Sequence, residues 1–183
     1  MKFRIYLLSA ILVAAAGSVL GQSGAAFSFR ATASVGSAPA DSSGRALTPA
    51  AMQMIERGAF QNVNKERSLA GLPMLKWNDK IAAVARMHSF NMAELNFFSH
   101  RGLDGSMVDD RAAKMAMGAW SAIGENIAFI KGFDNPADTV VEKWLGSAGH
   151  KKNLLGPEWT ETAIGLAVTP DGKYYFTQVF IRN

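Results

Sequence analysis

The chain has 183 residues, 19 Lys and Arg against 15 Asp and Glu, and no cysteine. That length allows one domain with tails, and the cysteine count excludes disulfides, a cysteine-attached lipid and a cysteine nucleophile. Most of the formal charge of +4 belongs to the N-terminal part: from residue 48 onward 15 basic residues face 14 acidic ones, a net of +1, with no basic stripe of the kind that binds nucleic acid.

Taken in chain order, MKFR is a short basic start, and IYLLSAILVAAAG is an apolar run shorter than the ~20 residues that a bilayer span needs. Small residues around Gly21 then complete the pattern of a secretory signal peptide over residues 1–21, which implies export and no stable membrane span. An exported domain of this size without disulfides points to a bacterial source. Residues 22–47 are rich in Ser, Ala and Gly and read as a flexible linker.

The folded part is expected over residues 48–183. Thr48-Pro49 is an N-cap followed by proline at the first helical position, and Met52, Ile55, Ala59 and Val63 continue at helical spacing, with Gly71 past the end. A second helix starts near Asn78 and places Ile81, Val84, Ala85, His88, Met92 and Leu95 on one face. Ser106 with Asp109 resembles a capping box opening a third helix that Gly118 ends. In IGENIAF, residues 123–129, the apolar Ile123, Ile127 and Phe129 mark core, yet they enclose Glu125 and Asn126. A buried carboxylate is costly unless it is paired or kept for chemistry.

Asn135-Pro136 opens a fourth helix with Val140, Val141, Trp144, Leu145 and Ala148 as its stripe and Gly149 as its stop. Glu142 points away from that stripe and reads as a solvated side chain. AIGLAV and YYFTQVFI, joined by TPDGK, form a hairpin. Four helices and an antiparallel hairpin make an α+β domain of about 135 residues, enough for a core.

The three histidines, His88, His100 and His150, belong to no HExxH, CxxC or GxSxG arrangement. His88, mid-stripe on the second helix, reads as a core histidine with a cleft role as the alternative. Asn126 is expected to satisfy nearby backbone groups, and Arg111 to be a surface or structural cation.

The stretches NFFSH (96–100), GENIA (124–128), WLGSAGHKKNLL (144–155) and YYFTQVF (174–180), in this order and spacing, closely resemble the CAP superfamily. These are the cysteine-rich secretory, antigen and pathogenesis-related proteins, or SCP domains, and the likeness is to their disulfide-free bacterial branch. It runs from about Met52 to the C-terminus and takes in NVNKERSLAGLPMLKWN. The resemblance implies an α/β/α sandwich with a small antiparallel sheet between helical layers. It also implies a cleft lined by two histidines and two glutamates, which binds a divalent metal in some members.

Residue by residue, the resemblance makes His100 the first cleft histidine and Glu125 the first glutamate. Ser147 stands where the second glutamate is expected, and Tyr175 where the second histidine is. With His150 as a substitute, the implied set is His100, Glu125 and His150, and three such N/O ligands plus water make a reasonable open zinc site. Ser147 is a weak acceptor with no adjacent base, and Tyr175 reads as a packed strand residue whose hydroxyl reaches the cleft rim.

Three functions follow as expectations. The first is a secreted binding module for a small apolar or lipid-like ligand or a cell-surface component. The second is a metal-dependent extracellular hydrolase with Glu125 as base on a metal-bound water held by His100 and His150. The third is a structural or adhesion protein with a relic cleft. Fold-level likeness licenses a site here and not a reaction.

Overall fold

The computed structural model describes residues 47–183. The expected signal peptide and all of the expected linker except Leu47 lie outside the described residues, and Leu47 packs against the core.

The elements run α1 (Pro49–Leu69), β1 (Lys76–Trp77), α2 (Asp79–Glu94), α3 (Val108–Lys114), β2 (Ala122–Lys131), α4 (Pro136–Leu145), α5 (Ala148–Leu154), β3 (Glu161–Val168) and β4 (Lys173–Arg182). The first two helices start as their caps predict. The Thr48 hydroxyl accepts from the Ala51 amide at 3.1 Å, and Asn78 Oδ1 accepts from the Lys80 and Ile81 amides at 2.9 and 3.3 Å. At the end of α1 the Leu72 amide returns to the Arg67 carbonyl at 2.9 Å around Gly71, whose φ of 72° suits a residue without Cβ.

Five expectations need correction, the last of them at Phe129 on the sheet edge. Leu95 is not on the buried face of α2: the helix ends at Glu94, and Leu95 is 55% exposed. α3 is capped one residue later than expected, with the Asp110 carboxylate accepting from the Met107 amide at 2.9 Å, while the Ser106 hydroxyl turns to Asp104. α3 also stops at Lys114 rather than Gly118, because Ala116 takes the left-handed turn (φ 50°) that lets the Met117 amide reach the Ala112 carbonyl.

The fourth correction matters most. The run read as one helix from Asn135 to Gly149 is two, broken at Gly146 and Ser147. Gly149 is therefore inside α5, Ala148 opens it, and His150 lies in its first turn.

The sheet order is β1-β3-β4-β2, with β3 and β4 forming the predicted hairpin and β1 joining β3 in parallel. β2 contains the IGENIAF stretch and pairs antiparallel with β4 from Ala122↔Arg182 to Lys131↔Lys173. It carries no polar–apolar alternation because both of its faces are covered.

The period of 2 then sorts the side chains. Ile123, Val179, Ile181 and Ala163 meet Ile81, Val84 and Ala85 of α2 and Val108 and Ala112 of α3. Ala128, Ile130, Ile164, Leu166, Tyr174 and Phe176 meet α1, α4 and α5 on the other face, around the fully buried Trp144. The result is the expected three-layer α/β/α sandwich. Phe129 breaks the core expectation: near the end of edge strand β2, it is 48% exposed.

The loop-bearing helix α2 lies against the sheet at Gly165, where an added Cβ would sit 2.1 Å from the Arg86 backbone nitrogen. Ser89 fixes that contact, donating to the Gly165 carbonyl and meeting the Thr177 hydroxyl, each at 2.9 Å.

Candidate ligand cleft

The chain leaves α2 through Asn96, which adopts φ 49° so that the Phe97 amide can bond the Met92 carbonyl at 3.1 Å. Asparagine tolerates this left-handed position better than most residues. The segment that follows carries Phe98 and His100 along β2. Phe98 meets Phe129 edge-on with ring centroids 5.0 Å apart, and His100 Nδ1 lies 2.8 Å from Glu125 Oε1.

Glu125 shares the α2 face of β2 with Ile123 and Ile127 and is 8% exposed. Its burial is compensated twice over. Oε2 receives Arg111 Nη2 at 2.5 Å, and Oε1 faces the His100 ring. A carboxylate in an ion pair only accepts hydrogen bonds, so His100 Nδ1 is the donor. The His100 side chain is 42% exposed, and its Nε2 has no hydrogen-bond partner among the described residues.

Arg111 is the expected structural cation, but it sits in the site itself. Its side chain is 2% exposed, and Nη1 donates to the carbonyls of His100 and Ser106 at 3.1 and 3.0 Å. His88 supports the same loop, its Nε2 meeting the Ser99 carbonyl at 2.9 Å. The His88 ring is fully buried, and burial pushes its pKa below the ordinary histidine value, with the Glu125 charge working the other way. The outer part of the loop is tied by Asp104, whose carboxyl is held well below its usual range by Lys114 and by Ser106.

The opposite face of β2 belongs to Asn126, which is fully buried. Its amide donates to the His150 carbonyl at 3.1 Å and to Gln178 Oε1 at 3.5 Å. Asn153 of α5 donates to Asn126 Oδ1 at 3.0 Å and to the Glu125 carbonyl at 3.1 Å. Asn126 thus satisfies a backbone group as expected and also docks α5. These bonds set His150, half-buried, across the edge strand from His100. Burial lowers the His150 pKa, and the charge of His100 lowers it further.

Ser147 and Tyr175 stand at the other two positions that the resemblance implies. Ser147 is the N-cap residue of α5, and its side chain makes no capping bond. Tyr175 is 3% exposed among Met92 and Ile127, its ring 6.0 Å from Phe129. Glu142 is exposed, as its helical angle requires.

The profile of the Cysteine-rich secretory protein family, CAP, matches residues 60–180. The chain belongs to this family. An uncharacterised membrane protein of Bacillus subtilis (strain 168), YlbC, is 39% identical over 128 residues, which are 70% of this chain and 34% of YlbC. The crystal structure of an extracellular protein containing an SCP domain from Bacillus anthracis str. Ames is 35% identical, with TM-score 0.60, over 75% of this chain and 44% of that one. An outer surface protein of Borrelia burgdorferi shares the fold, with TM-score 0.65 and 20% identity over 72% of this chain and 95% of that one. The chain thus spans about a third of YlbC's length and under half of the B. anthracis protein's. Among the described residues no helix is long and apolar enough to cross a membrane.

The CAP fold raises the question of a divalent metal. Among the described residues no three His, Asp or Glu side chains form a metal-holding group. Glu125, the one acid of the implied set, has each oxygen engaged, one of them by a guanidinium that brings a positive charge to the same place. As arranged, His100, Glu125 and His150 do not fit a three-ligand zinc site. Glu125 instead stands behind His100, as a carboxylate that orients an imidazole does.

Arg111 and Asn153 carry much of this geometry, and sequence reasoning assigned the site neither. A signal for Arg111 was present: Val108, Arg111 and Ala112 fall on one face of a short helix, so the arginine lies in an apolar stripe. Asn153 follows His150 by three residues, one turn along α5.

Proposed function

We propose that this CAP domain is an exported binding module whose cleft, around His100 at the edge of β2, takes a small ligand. That ligand has an apolar body and one hydrogen-bonding group, as a lipid-like molecule or cell-surface component would. One observation carries the choice over a Glu125-based hydrolase: both Glu125 oxygens are already engaged, by Arg111 and by His100. A general base needs an oxygen within reach of the proton it takes, and here each oxygen would have to take that proton in competition with a partner already bound to it. His100, by contrast, offers an unpartnered Nε2 at a half-exposed ring, beside Phe98 and Phe129, which are 45% and 48% exposed. Polar points on an apolar surface suit an amphiphilic ligand. The extracellular and outer-surface proteins that share the fold support the exported setting.

Incubation of the protein with a bacterial membrane-lipid extract, repurification and native mass spectrometry test this reading. The wild type is expected to retain a defined small molecule that Phe98→Ala and Phe129→Ala retain less. Equal retention by all three proteins would remove the aromatic pair from the site.

A second reading rests on the same Glu125–His100 bond, because an imidazole oriented by a carboxylate can accept a proton from water. In that case turnover of peptide or ester substrates would depend on His100 and not on a metal held by Glu125. A substrate screen without turnover that His100→Ala abolishes removes it.

A further inference from the structure

We infer that Arg111 is the positioning residue of the cleft: its guanidinium fixes Glu125 and the His100 loop together and so decides which ring nitrogen of His100 meets a ligand. The inference rests on the reading of His100 as the group that faces the ligand. Its basis is the reach of one buried fork. Nη2 holds the carboxylate on strand β2, and Nη1 holds the His100 carbonyl at the start of the loop and the Ser106 carbonyl at its end.

Strand β2 and the two ends of the His100–Ser106 loop thereby close on one planar group. A lysine in the same place carries the same charge, but its three donors radiate from one nitrogen and do not span acceptors that the arginine meets with two.

The consequence falls on the ring. With Oε2 held by Arg111, Oε1 of Glu125 is left to accept from His100 Nδ1 at 2.8 Å. The pair therefore selects the tautomer with the proton on Nδ1 and presents the bare Nε2 lone pair to the cleft, so the ligand's group must be a donor. Without Arg111 the carboxylate rotates, the loop carbonyls lose their donor, and the preference for Nδ1–H disappears. His88 supports the loop at Ser99 and hydrogen-bonds there rather than to Glu125 or the His100 ring, so it supplies no substitute acceptor for Nδ1–H.

Two-bond 15N–1H correlation spectra of the His100 ring in the 15N-labelled full chain, at a pH where the ring is neutral, test this without any ligand. The wild type is expected to show Nε2 at the unprotonated position and Nδ1 at the protonated one. Arg111→Lys and Arg111→Met are expected to move Nε2 towards the protonated position, with Lys failing to rescue. Where Arg111→Met does not fold, Arg111→Lys decides.

A folded variant with the wild-type ring pattern overturns the proposal, and so does a wild type whose proton sits on Nε2. This readout needs no bound molecule. Failure of the ligand-binding reading therefore leaves the ring's tautomer and its control by Arg111 standing and removes only the consequence for a ligand, while failure of the tautomer test leaves ligand retention to be judged separately.

Discussion

Replacing Gly165 by alanine probes how the sheet holds the layer that carries the cleft loop. The new Cβ would lie 2.1 Å from Arg86 N, 2.3 Å from the Ala85 carbonyl carbon and 2.6 Å from Arg86 Cα. All three are backbone atoms of α2, so no side chain can swing aside. Restoring an ordinary contact of 3.4 Å requires α2 to retreat by more than about 1 Å. Overpacking of this kind costs about 1–3 kcal/mol, and the bonds from Ser89 to Gly165 and Thr177 would stretch at roughly 1 kcal/mol more.

A loss of about 2–4 kcal/mol is a large part of a domain's stability of ~5–15 kcal/mol. It corresponds to a thermal midpoint lowered by roughly 5–20 °C. Urea and thermal unfolding followed by circular dichroism measure it. Gly149→Ala is the control: nothing lies within 4 Å of its Cβ, and alanine in α5 is expected to stabilise by about 0.5–1 kcal/mol. A Gly165→Ala protein within about 1 kcal/mol of wild type would refute the account of α2 packing.

Other expectations concern the helix ends, the cleft network and pH. Ala116→Gly relieves an L-residue at φ 50° and should raise stability by roughly 0.5–1 kcal/mol, seen as a higher urea midpoint; a lower midpoint would contradict the left-handed cap. Asn153→Ala removes the donor to Asn126 Oδ1 and the Glu125 carbonyl, at a cost of about 1–3 kcal/mol in urea unfolding, and an unchanged midpoint would remove the asparagine link from the account. His88 and His150 both have pKa values lowered by burial, so the unfolded chain binds protons more readily than the native one. Their contribution is therefore complete above the unfolded histidine pKa of about 6.5 and is lost as pH falls below it. Urea midpoints at pH 7.5 and 5.5 should fall with acidification, and less so for His88→Gln; an equal fall in the variant would show that His88 does not contribute.

The legibility of the chain follows what each signal depends on. α1, α2 and the β3–β4 hairpin were legible because caps, periodic faces and a Pro-Asp-Gly turn are local. The break between α4 and α5 was not, because helical periodicity continues through Gly146 and Ser147, and only the docking of α5 by Asn126 and Asn153 shows where the chain turns. β2 hid its strand character because both its faces are covered, one by α1, α4 and α5 and the other by α2, α3 and the His100 loop. At the site, the partnership of His100 with Glu125 was foreseen as a pair of cleft residues. That Arg111 would complete it was not, since a buried arginine is recognised only by the acceptors that folding brings to it.

The central claim is that the cleft binds through His100 and the adjoining aromatic surface with no metal held by Glu125. Its most direct test is ligand retention by chelator-treated protein, wild type and His100→Ala, exposed to the same bacterial membrane-lipid extract and read by native mass spectrometry. The account predicts that metal-free wild type retains a defined molecule and that His100→Ala loses it. Wild type that emerges empty after chelation and regains the molecule only with stoichiometric zinc would contradict it.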